Sequence, residues 1–563
     1  MKCRLASSRN RIAPSRLLLL LLLSARCAGV EKHPAPLLPP EEVTELESKL
    51  PLVVVDAGPK KIRDERRVEA RLEILDDPEG GGNHLNGTPV RFSGDIRIGI
   101  RGQSSRDCPK KQYGFEILGS GGAKGREASL LGMPAASEWI LQGPCFDRSL
   151  IRNVLAYQLS NRIGRYAVRT RFIEAYIREA GAKDPAGGYQ GVFVLMEKIS
   201  RGPERVNVAP ATEEDPSGGY ILKIDRGPEP FFTTARGTRI LCVDPPSPTP
   251  AQVRFLKSYF DELEAALMRD DFGGPDRGYA RYIDVDSFVD HFLLNELLRN
   301  VDAFRLSAYL HKDRSGKVAM GPVWDFDRSS GNIDTLRRPE GWSLSLRFTG
   351  YQPPFWWKRL LEDEDFRRRL AERWKSLRED AWSPASIDAA IEKDVSEIAD
   401  AARRNFQVWP FLGSRRSPFD RDPVASPTFA GEIQELKDFL AARGDWMDHH
   451  VDLLPAGIGE GETTGPGGGS RGAIAKPSRT DGGESGPARS SRDGVSGSGG
   501  PIFRSCARGP GHDAQSQQDH AGDGDVEPGN AGDRQRPGHS GDEDQVADEV
   551  QQKGHDGLPE AWQ

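Results

Sequence analysis

Two short stretches of this chain concentrate acidic side chains where packing alone would not put them. Asn300-Val301-Asp302 precedes the apolar run Ala308-Tyr309-Leu310, and then comes Gly321-Pro322-Val323-Trp324-Asp325-Phe326-Asp327. Carboxylates beside Phe and Trp are costly to bury unless they are paired or bound to a cation. An Asp followed by a strand pair and a second Asp is the order used in phosphoryl transfer. There the first Asp orients the attacking hydroxyl and the later one holds magnesium on the nucleotide phosphates. Asp325 and Asp327 lead into a polar loop, Arg328-Ser329-Ser330-Gly331-Asn332, and two carboxylates after a strand are good oxygen ligands for that ion. The arrangement predicts a nucleotide-dependent transferase. A lone Asp after a helix is ordinarily a turn residue, so the case for Asp302 depends on Asp325 and Asp327.

Three other segments carry groups suited to the same chemistry. Arg101-Gly102-Gln103-Ser104-Ser105-Arg106 leads into Cys108-Pro109-Lys110-Lys111, a Gly/Ser loop with two lysines between strands. Backbone amides in such a loop can face phosphate oxygens, and a following Lys can neutralise them. The plainer alternative is a basic hairpin with solvated lysines. Asp147, Arg152 and Asn153 open a helical stretch, with Asp147 placed as an N-cap and Arg152 able to reach a phosphate or a carboxylate. Gly191–Ile199 reads as a strand ending in Glu197-Lys198. At a cleft edge that strand end could face an adenine; elsewhere it is a surface ion pair. His291 and His311 have no metal-type spacing.

The elements that would hold these groups follow from periodicity. Val68–Leu75, Val90–Phe92, Ile96–Ile100 and Tyr113–Leu118 read as strands, the first by strict alternation. Ser149–Ile163 has apolar residues at helical spacing. Phe172–Ile177, Gly191–Met196 and Tyr220–Ile224 return to strand patterns. Val253–Met268, Val285–Leu298, Phe355–Leu361, Phe366–Leu377, Ile387–Ala402 and Ile433–Met447 predict helices. The expected fold class is α+β, β-rich in front and helical behind, with a cleft between two lobes.

Composition sets the outer limits. Met1–Arg16 is basic, Leu17–Leu23 is unbroken leucine, and Ser24, Ala25, Ala28 and Gly29 are small. This pattern predicts a secretory signal peptide over residues 1–28, too short for a bilayer span. Arg26 fits poorly beside Cys27 as a lipid-attachment site. Residues 29–67 read as a linker, 68–454 as the globular domain, and 455–563, rich in Gly, Ser, Asp and Pro, as a disordered tail. No later segment reads as membrane-spanning, so a secreted or cell-surface location is expected. Cys108, Cys145, Cys242 and Cys506 show no zinc or framework spacing. A net charge of −7, mixed in sign, argues against a nucleic-acid partner.

The ordered blocks together resemble the CotH family, the spore-coat-protein-H type of secreted protein kinase. They are Arg101-Gly102-Gln103-Ser104-Ser105, Pro109–Tyr113, Trp139–Asp147, Leu150–Asn153, Gly188–Glu197, Asn295-Glu296, Asn300–Asp302 and Pro322–Asp327. The resemblance implies a divergent, two-lobed protein-kinase-like fold that transfers the γ-phosphate of ATP to a protein substrate with Mg2+ or Mn2+. It implies Lys110 or Lys111 on the ATP phosphates, Asp302 as catalytic base and Asp325 on the metal. Glu197 would lie toward the adenine, with Arg101, Ser104, Ser105 and Arg152 on the nucleotide. Kinase-like sites place an Asn about five residues after the catalytic Asp as a second metal ligand; here Ser307 stands there, a weaker ligand that Asp327 would supplement. That departure leaves a non-catalytic surface or coat protein as the alternative, and nucleotidyl transfer as a third.

Overall fold

The computed structural model describes residues 46–454 except 64–65, 124, 181–187, 347–349 and 417–423. The expected signal peptide and tail lie outside the described residues. Seven strands close a barrel in the order β1-β2-β3-β4-β5-β7-β6. They are β1 (Leu52–Asp56), β2 (Val68–Leu75), β3 (Val90–Arg101), β4 (Gln112–Ile117), β5 (Glu138–Gln142), β6 (Thr170–Arg178) and β7 (Tyr189–Glu197). Closure comes from the parallel pair β1/β6, with Leu52 opposite Glu174; every other neighbouring pair is antiparallel. Alternate residues fill the interior, among them Val53, Leu72, Ile98, Phe115, Trp139, Ile173 and Phe193, as a period of two requires.

Several elements differ from the sequence expectation, and the strands Phe231–Thr233 and Arg239–Asp244 passed unread. The expected linker contains β1. Its run Leu52-Val53-Val54-Val55 is apolar on both faces, because Leu52 and Val54 pack outside the barrel against Leu46, Tyr176 and Tyr189. Without alternation it carries no half-exposed strand signature. Val90–Phe92 and Ile96–Ile100 are one 12-residue strand, continuous through Ser93-Gly94-Asp95 because β2 pairs along its whole length. The short β5 passed unread.

A second, five-stranded sheet runs β12-β11-β8-β10-β9. Its strands are β8 (Tyr220–Ile224), β9 (Phe231–Thr233), β10 (Arg239–Asp244), β11 (Ala308–Lys312) and β12 (Val318–Met320). Helices follow the order α1 (Arg152–Arg162), α2 (Pro250–Leu267), α3 (Val285–Leu297), α4 (Trp356–Glu362), α5 (Glu364–Glu379), α6 (Pro384–Val408) and α7 (Phe429–His450). A capping box starts α2: Thr249 accepts from the Gln252 amide and Gln252 accepts from the Thr249 amide. The main core joins Phe260, Phe292, Trp357, Trp374 and Ile391 of these helices to the sheet residues Leu222 and Leu310. Val192, Val194 and Met196 on the barrel's outer face complete it. The fold is α+β, β-rich first and helical later, as the periodicities predict. Among the described residues no helix is long and apolar enough to cross a membrane.

Candidate active site

A cleft of about 400 Å³ is lined from four directions. The end of β3 supplies Arg101 and the turn Gly102–Arg106. Strand β8 supplies Lys223, followed by Asp225, Arg226 and Glu229. The loop after α3 supplies Asp302 and Ser307, and β11 supplies Tyr309. The segment after β12 supplies Trp324, Asp325, Asp327 and Arg328.

Local geometry explains several of these placements. Gly102 has φ +108°, and a Cβ there would sit 2.0 Å from Ser105 Oγ; only glycine lets the turn close over its own hydroxyls. Gln103 Nε2 donates to the Arg226 carbonyl at 2.8 Å, joining this turn to the β8 side of the cleft. A disulfide between Cys108 and Cys145 ties the end of the turn to the residue before Phe146, another lining residue. Cys242 is free and buried. On the acidic side, Phe304, Ser307 and Asp325 all have left-handed backbone, at φ +68°, +50° and +68°. Non-glycine residues held there cost of order 1 kcal/mol each, so their surroundings must hold them. Asn153 Oδ1 accepts from the Phe326 amide at 2.7 Å, and Asn300 Nδ2 donates to the Asp325 carbonyl at 3.3 Å. Asn332 Nδ2 donates to the Asp327 and Phe146 carbonyls. Arg101 lies over Trp324, 5.5 Å from the ring centroid, and Trp324 stacks on Tyr157.

Burial raises all three carboxylates. Burial, then the nearby charge of Asp302, pushes Asp325 up to about 6 against the pull of Arg101; Ser307 Oγ donates to it at 3.4 Å. Burial and then Asp325 raise Asp327 well above the usual carboxylate range. Burial also raises Asp302, opposed mainly by Arg305, whose guanidinium contacts it at 2.8 Å. Among the described residues no three His, Cys, Asp or Glu side chains form a protein-only metal cage. Magnesium seldom uses one: it takes one or two carboxylates and fills the rest of its shell with phosphate and water. A buried and a half-buried carboxylate with a hydroxyl beside them are a hard-oxygen donor set of that type.

Arg101, Ser104, Ser105, Asp302, Ser307, Asp325 and Asp327 are thus brought to one cleft. Lys110, Lys111, Arg152 and Glu197 are not among its lining residues. Lys110 is 0% exposed, and its ammonium donates to the Val192 carbonyl and to Asn405 Oδ1, each at 2.5 Å, over the ring of Phe193. Desolvation there pushes it well below the ordinary lysine range. Lys111 donates to the Arg106 carbonyl on the exposed side. Both lysines precede β4: Lys110 turns into the interior toward β7, and Lys111 folds back onto the end of the Gly102–Arg106 turn. Arg152 is closed in a buried pair with Asp147 at 2.5 Å. Asp147 is not the N-cap residue, since α1 starts at Arg152 after Ile151. It still takes the Arg152 amide at 2.9 Å. Glu197 is 0% exposed among Arg169, Arg205 and the Tyr166 hydroxyl, while Lys198 pairs with Glu138 at 2.6 Å.

The lysine that does line the cleft is Lys223, which sequence reading passed over. Burial works against its charge, but Tyr309, Glu229 and Asp225 more than offset this and leave it above its ordinary value. It contacts Glu229 at 2.7 Å and Asp225 at 3.5 Å. The available signal was a lysine inside the apolar strand Tyr220–Ile224, followed two residues on by Asp225. Tyr157 was equally silent, and Asn153 reads only as part of the opening of its helix; it bonds instead to the Phe326 amide.

Compared with family models, residues 98–447, more than half of the chain, match the one described as CotH kinase protein. A search of curated proteins finds no match.

Proposed function

The chain belongs to the CotH kinase protein family, and from that premise we propose that it is an exported protein kinase. It would move the γ-phosphate of ATP to a side-chain hydroxyl of a protein substrate, with Mg2+ or Mn2+. The barrel and the sheet-and-helix region would serve as the two lobes of a divergent kinase-like fold. One observation carries this reading: acidic groups from two separate stretches, the Gly102–Arg106 turn and Lys223 line the same cleft.

When bound, the divalent ion supplies charge neutralisation between the phosphates. Asp325 and Asp327 would hold it, with the Ser307 hydroxyl where kinases place a second ligand. Arg101, the amides of the Gly102–Ser105 turn and Lys223 would face the phosphate oxygens. Asp302 would accept the proton of the attacking hydroxyl, with Arg305 fixing its carboxylate. The Cys108–Cys145 disulfide supports export, since such bonds persist in oxidising compartments.

Purified protein given γ-labelled or α-labelled ATP with either metal tests the proposal. Label from the γ position should appear on protein and vanish in Asp325→Ala. Label from the α position would mean nucleotidyl transfer, and none from either would mean a binding protein. Undiminished transfer by Asp325→Ala would refute its metal role.

A further inference from the structure

The loop after α3 and the segment after β12 meet through one side-chain amide. Asn300 Oδ1 accepts from the Asp302 backbone amide at 3.1 Å, closing a local turn. Nδ2 of the same group donates to the Asp325 carbonyl at 3.3 Å and to Asn295 Oδ1 at 3.4 Å. Its oxygen and both of its N–H bonds are thereby committed, and Asn300 is 3% exposed. The bond to Asp325 falls where the backbone needs one, since Asp325 is held in the left-handed region at φ +68°.

The orientation of this amide is fixed from α3. Asn295, also buried, donates Nδ2 to the His291 carbonyl one turn earlier at 2.9 Å. A carbonyl oxygen only accepts, so Asn295 turns its own oxygen toward Asn300, and Asn300 answers with nitrogen. The other end agrees, because the Asp302 amide only donates and so meets Asn300 Oδ1. Exchanging oxygen and nitrogen in Asn300 would set acceptor against acceptor at Asp325 and donor against donor at Asp302. The network therefore has one arrangement, anchored on a helix that is buried from Ser287 to Leu297.

We infer that Asn300 is a positioning residue that sets Asp302 relative to Asp325, and that Asn295 orients it. This rests on the kinase reading above, in which those carboxylates act as base and metal ligand. The two bonds have separable roles. An aspartate at 300 would keep an acceptor for the Asp302 amide, but an ionised carboxylate has no N–H for the Asp325 carbonyl. It would also add a charge beside carboxylates whose burial already works against ionisation.

The test uses the whole chain, as parent, Asn300→Ala and Asn300→Asp, at matched folded concentration. Electron paramagnetic resonance of free Mn2+ in the presence of ATP reads metal binding without chemistry. Transfer of γ-label to a serine peptide reads kcat and KM. Asn300→Ala should bind Mn2+ about tenfold more weakly, as loss of a group supporting a metal ligand does. Its kcat should fall by about 10²-fold with peptide KM unchanged. Asn300→Asp should transfer as poorly as the alanine variant although it keeps the turn, and it decides the matter if the alanine variant does not fold. Unchanged Mn2+ affinity in Asn300→Ala overturns the inference. So does a parent-like kcat in Asn300→Asp, since the turn at Asp302 would then suffice. A parent that binds Mn2+ with ATP but transfers no label overturns the kinase reading instead, and weaker Mn2+ binding by Asn300→Ala then upholds the link to Asp325.

Discussion

The two lysines that the CotH resemblance singles out and the one lysine in the cleft make opposite predictions on mutation. Take Lys110→Met first. The ammonium of Lys110 makes two 2.5 Å hydrogen bonds, to Val192 and Asn405, with no carboxylate at contact distance among the described residues. Bonds from a charged donor contribute about 1.5–3 kcal/mol each, but desolvating an unpaired ammonium removes much of that gain. Methionine keeps the stem over Phe193, and Asn405 Oδ1 still accepts from the Val192 amide at 3.2 Å. The net loss should be about 1–3 kcal/mol, a few degrees in Tm, with transfer per folded molecule within about twofold of the parent. In Lys223→Met, Glu229 and Asp225 are left where water reaches them, so stability should fall by only about 1 kcal/mol. Removing a positioned cation from a charge-developing site typically lowers kcat by about 10²–10³, or roughly 3–4 kcal/mol of barrier. Thermal denaturation and γ-label transfer at matched folded concentration read both quantities. A Lys110→Met protein that melts like the parent but no longer transfers, beside an active Lys223→Met, would refute the assignment.

Asn153→Ala removes the acceptor of the Phe326 amide. It should cost about 1–3 kcal/mol and lower kcat by about 10²-fold through misplaced Asp325 and Asp327, with peptide KM unchanged; an unchanged kcat would sink this. Replacing Cys108 and Cys145 by Ser opens a crosslink of sequence separation 37, worth about 4 kcal/mol in the chain-entropy treatment, and frees the Gly102–Arg106 turn, proposed above to face phosphate. Both Tm and ATP affinity should fall, and a drop in Tm alone would show that the bond does not position the turn. His291 is buried between Trp357 and Phe304 with no partner on either ring nitrogen, and burial pushes it down to about 3. Below the unfolded value of about 6.5 only the unfolded chain takes the proton, so stability falls as pH falls, by about 2 kcal/mol at pH 5. His291→Phe should flatten that slope between pH 7.5 and 5, and parallel Tm curves for the two proteins would count against it.

Much of the architecture can be read from periodicity, because half-buried strands and amphipathic helices impose their period on composition. β2, β8, the helices α2 through α5 and α7 fall within a few residues of their expected ends, while α6 runs on to Val408, past the expected Ala402. The failures have separate causes. β1 hides in a Pro-rich stretch because it is apolar on both faces, and β3 divides because a polar Ser-Gly-Asp interval interrupts it. The acidic half of the cleft is legible for an energetic reason: Asp325 and Asp327 beside aromatic residues violate the ordinary rule for burying charge, and a violation shows in one dimension.

Of the basic half, Arg101 and the Gly/Ser turn were legible and the lysine was not. A lysine near a strand end, such as Lys223, reads as solvated, and a Lys-Lys pair after a Gly/Ser loop reads as functional. Which of them faces the acids depends on strand parity. The turn at Gly102 reverses the chain, so that Arg101 and the turn look one way while Lys110, two residues before β4, enters the space between β7 and α6. A shift of one residue in that connection would exchange the faces. The position of a cation relative to a distant carboxylate is a property of register between segments far apart in the chain. Asp302 and Lys223 share a cleft because β11 pairs with β8, setting Tyr309 opposite Lys223. Weakening that pairing should therefore impair transfer more than it impairs folding, which is why a proline at Tyr309, on the partner strand, should abolish activity in any molecules that remain folded.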